Sequence, residues 1–112
     1  MLRGQQPPEE SLMQGKVTVI AYHRAKPGKE GALRDALLAV CAPTRAEKGC
    51  INYDLHESPD QPGVLVFLEN WESKADLDAH LASPHIDGFR AKAPELLAEP
   101  PDIKLWSEIV RG

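Results

Sequence analysis

The sequence predicts an α+β domain of ferredoxin-like build, β-α-β-β-α-β, with a four-stranded antiparallel sheet and helices on one face. Three observations predict it. Four short segments alternate with the two-residue period of strands, while two longer stretches carry apolar residues at helical spacing. They follow one another as strand, helix, strand, strand, helix, strand. The strands are also apolar on both sides, so helices cover one face and something else must cover the other.

Residues 1–15 (MLRGQQPPEESLMQG) are polar and punctuated by Gly4, Pro7, Pro8 and Gly15. They read as an extension outside the core domain of residues 16–112. Residues 16–24 form the first strand, with Val17, Val19, Ala21 and His23 on one face and Thr18, Ile20 and Tyr22 on the other; Pro27-Gly28 ends it. A helix follows over residues 29–48, where Leu33, Ala36, Leu37, Val40 and Cys41 make one apolar stripe. Pro43 cannot donate to the Ala39 carbonyl and should kink this helix, and Gly49 should stop it.

Residues 50–58 form the second strand, with Ile51, Tyr53 and Leu55 on one face and Asn52, Asp54 and His56 on the other. PDQPG is turn chemistry, linking it as a hairpin to a third strand at residues 64–72. There Leu65, Phe67, Glu69 and Trp71 share one face. Ser73, with Asp76 three residues on, caps a second helix through Ala75, Leu77 and Leu81. Ser83-Pro84 interrupts it, and it resumes from His85 to about residue 98. Glu99-Pro100-Pro101 is a hard stop, and residues 103–110 alternate as the last strand. The sheet face left bare by the helices remains apolar, so two copies are expected to pack sheet to sheet as a homodimer.

The chain carries 13 Lys and Arg against 17 Asp and Glu over 112 residues, a net charge of -4. Without a basic stripe it is not expected to bind nucleic acid. No apolar run approaches the roughly 20 residues of a membrane span, and the N-terminal stretch lacks the apolar core of a secretory leader. A cytoplasmic protein is expected. Cys41 and Cys50 form no CxxC pair and read as free thiols.

Candidate chemistry concentrates in residues 69–89, ENWESKADLDAHLASPHIDGF. Glu69 and Trp71 lie two apart on one strand face. An acid on an apolar face is costly unless hydrogen-bonded, so Glu69 either anchors the fold or serves a function. His80 and His85 flank the helix break. On a continuous helix their spacing of five would set them about 140° apart, unlike the i, i+4 pair of a zinc helix. No cysteine pair or carboxylate has supporting spacing, so no metal site is expected. Imidazoles at these positions suit proton transfer. No phosphate cradle or nucleophile elbow appears, and Gly28 and Gly31 do not make a dinucleotide fingerprint.

The passage FLENWESKADLDAHLASPHIDGF, with AKPGKEGAL and AEKGCINYDL upstream, resembles the antibiotic biosynthesis monooxygenase domain, nearest its quinol monooxygenase-like branch. The likeness covers about residues 16–110. It implies a dimeric α+β barrel and oxygenation of a small aromatic quinol or anthrone by O₂, with no flavin, haem or metal cofactor. Carried onto this chain, it implies His80 or His85 as the proton-transfer or phenolate-binding group. Trp71 becomes an aromatic wall, Glu69 an orienting carboxyl, and His23, Tyr53 and Phe89 further substrate contacts. The haem-degrading branch uses an Asn, Trp and His set where this chain has His23, His80 and Arg90, so haem degradation is disfavoured. An isomerase or tautomerase using the same histidines, or a non-catalytic small-molecule-binding dimer, are the alternatives.

Overall fold

The computed structural model describes residues 15–110, so the extension expected at residues 1–15 lies outside the described residues except for Gly15. β1 is Val17–Arg24, with Val17, Val19, Ala21 and His23 buried and the intervening side chains turned away. β2 spans Cys50–Glu57, β3 spans Val64–Trp71, and β4 spans Asp102–Trp106. They form one antiparallel sheet in the order β2-β3-β1-β4, the ferredoxin-like arrangement. Four helical segments lie between them: α1 Glu30–Ala39, α2 Cys41–Arg45, α3 Lys74–Leu81 and α4 Pro84–Leu96. Leu33 and Leu37 of α1, Leu77 of α3 and Phe89 and Leu96 of α4 join Val19, Tyr53, Phe67 and Trp71 of the sheet in one core.

The expected helix over residues 29–48 is two helices meeting at Val40. Pro43 has no N–H for the Ala39 carbonyl, and the chain tightens there: Val40 N–H reaches the Leu37 carbonyl at 3.3 Å. The second piece ends at Arg45, four residues before Gly49. Gly49 (φ +84°) instead shapes the turn into β2, where an added Cβ would overlap the Asp76 carboxylate. Ile51, expected beside Tyr53, is exposed because the β2–β3 register slips between Cys50 and Asn52. The last strand is shorter than residues 103–110. Thr18 already pairs with Trp106, so longer pairing would run off the start of β1.

The interruption at Ser83-Pro84 is realised and sets up everything that follows. A residue before proline is pushed to extended backbone, and Ser83 sits at φ −74°, ψ 155°. Pro84 then opens α4 at its first position, where a missing N–H costs nothing. Ser73 caps α3 as expected, its Oγ accepting the Asp76 N–H at 3.1 Å.

The sheet face away from the helices is mixed rather than uniformly apolar. Ile20, Leu68 and Trp106 are exposed on it. Alongside them, Thr18 donates to Asn70 Oδ1 and Asn70 Nδ2 donates to Asn52 Oδ1 at 2.8 Å. Among the described residues, no helix is long and apolar enough to cross a membrane.

Candidate active site

Between the sheet and the helices lies a cavity of about 660 Å³, within the size range of small-molecule sites. Its walls are mainly apolar, with Val19, Ala21, Phe67, Leu77 and Phe89 among them. Seven polar or titratable side chains interrupt the walls: Tyr53, Glu69, His23 and His80, with Lys26, Arg90 and Glu99. Strand alternation explains the sheet contributions. Glu69 on β3 stands opposite Val19 on one side and Tyr53 on the other, while His23 at the end of β1 stands opposite Leu65. The polar groups therefore lie at separate rows of the sheet, with Phe67 and Ala21 between them.

His80 reaches this cavity from the last turn of α3 and is 2% exposed. Its ring lies 4.7 Å from Trp71 and 5.3 Å from Tyr53, centroid to centroid. Its Nδ1 donates to Glu47 Oε2 at 2.8 Å. Because a carboxylate only accepts, this bond places the proton on Nδ1 and leaves Nε2 with its lone pair. Burial, the largest influence, lowers the His80 pKa, the Glu47 carboxylate opposes it, and the charges of His85 and Arg90 lower it further. The ring is thus a neutral imidazole with one basic nitrogen.

His85, carried to the same place by the bend at Ser83-Pro84, donates from Nε2 to the same Glu47 oxygen at 2.7 Å. It does not line the cavity; it stands behind His80, its ring 6.1 Å from the His80 ring and joined to it through Glu47. Ser83 Oγ donates to the His80 carbonyl at 2.7 Å and lies 3.2 Å from His85 Nε2, closing the helix joint around the pair. Trp71 is fully buried behind His80 and is also absent from the cavity wall. Its indole N–H donates to Glu69 Oε1 at 2.9 Å. Glu69, Tyr53, Phe89, His23 and His80 do line the cavity.

Sequence reasoning missed Glu47. It sits in the turn between α2 and β2, 33 residues from His80 and 38 from His85, where no period connects them. The only trace was its place in the AEKGC stretch. Glu47, His80 and His85 bring three potential metal-ligand atoms within 4.8 Å of one another.

The other titratable groups are tuned by burial. Glu69 is raised to about 7, chiefly because its charged form is desolvated, with the Trp71 hydrogen bond opposing and the Glu47 charge adding. Burial lowers His23 to about 4, so this ring is also neutral; its Nδ1 has no hydrogen-bond partner among the described residues. Phe67 and Phe89 face it edge-on, at 6.0 and 5.9 Å. Burial likewise holds the Tyr53 phenol protonated well above its usual range.

Residues 16–92 match the antibiotic biosynthesis monooxygenase family profile. A Mycobacterium tuberculosis protein, Rv0793, which carries a provisional monooxygenase name, is 47% identical over 88 residues, covering 79% of this chain and 86% of its own. Its solved structure superposes with a TM-score of 0.81 at 41% identity, over 87% of this chain and 98% of that one. PA3566 of Pseudomonas aeruginosa superposes at 0.82 with 33% identity, over 88% and 98%. YgiN of Escherichia coli K12, provisionally named a quinol monooxygenase, is 31% identical over 83 residues, 65% of this chain and 80% of its own.

The elevated Glu69 has a signed consequence for stability. A carboxyl whose folded-state pKa is raised from 4.5 to about 7 contributes stability fully present below 4.5 and lost as pH rises through about 7. Glu69→Gln should therefore be near neutral at about pH 5 and stabilising at about pH 8, by up to about 3 kcal/mol. Urea unfolding at both values checks this; an effect independent of pH would contradict it.

Proposed function

The chain belongs to the antibiotic biosynthesis monooxygenase family, and on that premise we propose that it oxidises a small aromatic quinol or anthrone with O₂, without a bound cofactor. The observation that carries this reading is the Glu47–His80 hydrogen bond on the wall of an apolar cavity. An electron-rich phenol becomes reducing toward O₂ once it loses its proton, because the anion can surrender one electron directly. The protein then needs a base of suitable strength, a dry pocket and partners for the oxygen atoms. His80 Nε2 is the base. Glu47 holds the ring by Nδ1 and stabilises the imidazolium that forms.

For an anthrone-type substrate, bound as its phenolic tautomer, the balance is CH₂ plus O₂ giving C=O plus H₂O. His80 Nε2 takes the phenolic proton. The anion passes one electron to O₂, and the substrate radical and superoxide combine to form the C–O bond. The peroxide takes the proton back from His80. Loss of the remaining C–H proton with cleavage of the O–O bond then releases water and leaves the carbonyl. Tyr53, Phe67 and Phe89 supply ring contacts, and the neutral His23 ring lines the far end. A substrate with two oxygens on opposite sides of its ring system fits this spacing of polar groups.

A second reading, an isomerase or tautomerase, draws support from Glu69. Its pKa of about 7 gives the cavity a second proton-transfer group beside His80. Oxygen consumption separates the two. We also propose that the protein acts as a homodimer joined through its sheet faces, as the exposed Ile20, Leu68 and Trp106 favour. A reducing, cytoplasmic setting suits its two free cysteines.

With reduced naphthoquinones and anthrones, oxygen uptake above autoxidation is expected, and His80→Ala should slow it at least tenfold, about 1.4 kcal/mol of barrier, with circular dichroism unchanged. Undiminished uptake by His80→Ala would remove this residue from the mechanism. Light scattering at micromolar concentration should return twice the 12.3 kDa chain mass; a 12.3 kDa species would rule out the sheet-to-sheet dimer.

A further inference from the structure

We propose that Glu47, His80 and His85 form a binding site for a single divalent cation of the zinc class. Three separate elements deliver the ligands: the turn before β2, the last turn of α3 and the first turn of α4. Their candidate atoms, Glu47 Oε2, His80 Nδ1 and His85 Nε2, already lie within 4.8 Å of one another, with 2.8 and 2.7 Å between the carboxylate oxygen and the two nitrogens. Two imidazoles and one carboxylate are a donor set that borderline divalent ions prefer over magnesium or calcium. Tetrahedral coordination at about 2.0–2.1 Å sets ligand atoms about 3.3 Å apart, so the two carboxylate–nitrogen distances widen by about half an ångström while the two nitrogens, within 4.8 Å of each other, draw together.

Charge points the same way. Among the described residues, the hydrogen-bond and ion-pair partners of Glu47 are the two imidazoles, and no Lys or Arg neutralises it. Its nearest sequence neighbour of opposite charge, Lys48, pairs instead with Asp76. A largely buried carboxylate with no Lys or Arg partner among the described residues is a fitting anchor for a cation. Access exists, since the side chains of Glu47 and His85 are 16% and 20% exposed. Ser83 Oγ, 3.2 Å from His85 Nε2, or a water completes the fourth position. Binding needs no net proton loss at His80: its proton moves from Nδ1 to Nε2, and Nδ1 becomes a ligand.

On the oxygenase reading, a loaded ion would occupy the nitrogen that Glu47 now holds and remove the Nε2 base, making the ion an inhibitor. The site itself does not rest on that reading, and its test reads binding alone. Chelator-treated full-length protein is dialysed against Zn²⁺, and against Co²⁺ as a spectroscopic probe. One ion per chain is expected for the wild type, with affinity at least tenfold weaker in Glu47→Gln and His85→Ala and unchanged in His56→Ala, which alters an exposed histidine. No binding by the folded wild type, or equal binding by both site variants, overturns the proposal. Should a variant fail to fold, Co²⁺-loaded wild type decides by proton NMR. Paramagnetic shifts of the His80 and His85 rings support the site, and their absence there overturns it.

Discussion

One carboxylate oxygen, Oε2 of Glu47, accepts from two imidazoles that belong to different helices. The candidate site depends on that junction. It ties the turn before β2 to the end of α3 and the start of α4, and so fixes where His80 meets the cavity. Hydrogen bonds to a charged acceptor contribute about 1.5–3 kcal/mol each, and a buried ring N–H left without its acceptor costs a similar amount. The junction also settles chemistry, because the nitrogen that donates to Glu47 cannot be the one that accepts a proton. A neutral imidazole, buried and held from behind, presents its other nitrogen as a base.

Around that base the sheet supplies a graded environment. Alternation on β1 and β3 aims Val19, Ala21 and Phe67 into the cavity, with the Ala21–Phe67 row between the polar positions Glu69 and His23. Desolvation is the shared cause behind the tuned groups: it neutralises His23 and His80, raises Glu69 and keeps the Tyr53 phenol protonated.

Much of this was legible in the sequence, because period-two alternation and proline placement are local signals. The face carrying Leu65, Phe67, Glu69 and Trp71, the Ser73 cap and the break at Ser83-Pro84 follow from residues a few positions apart. What was not legible depended on long-range closure. Glu47 meets its partners across more than thirty residues, by way of a turn with no periodicity. The slip that exposes Ile51 and the early end of β4 depend on inter-strand register, which a strand's own residues do not encode. Likeness of motif grouped Trp71, His80 and His85 together, but only the packed structure separates the cavity-lining His80 from Trp71 behind it and His85 beyond Glu47.

The central claim is that Glu47 fixes His80 as a neutral ring with its proton on Nδ1. The most direct test is the imidazole ¹⁵N spectrum of His80 in metal-free protein at neutral pH, assigned through its ring protons. A protonated Nδ1 beside an unprotonated Nε2 is the result predicted, and Glu47→Gln should weaken that preference. A proton on Nε2 with Nδ1 bare, or protons on both nitrogens, would contradict it.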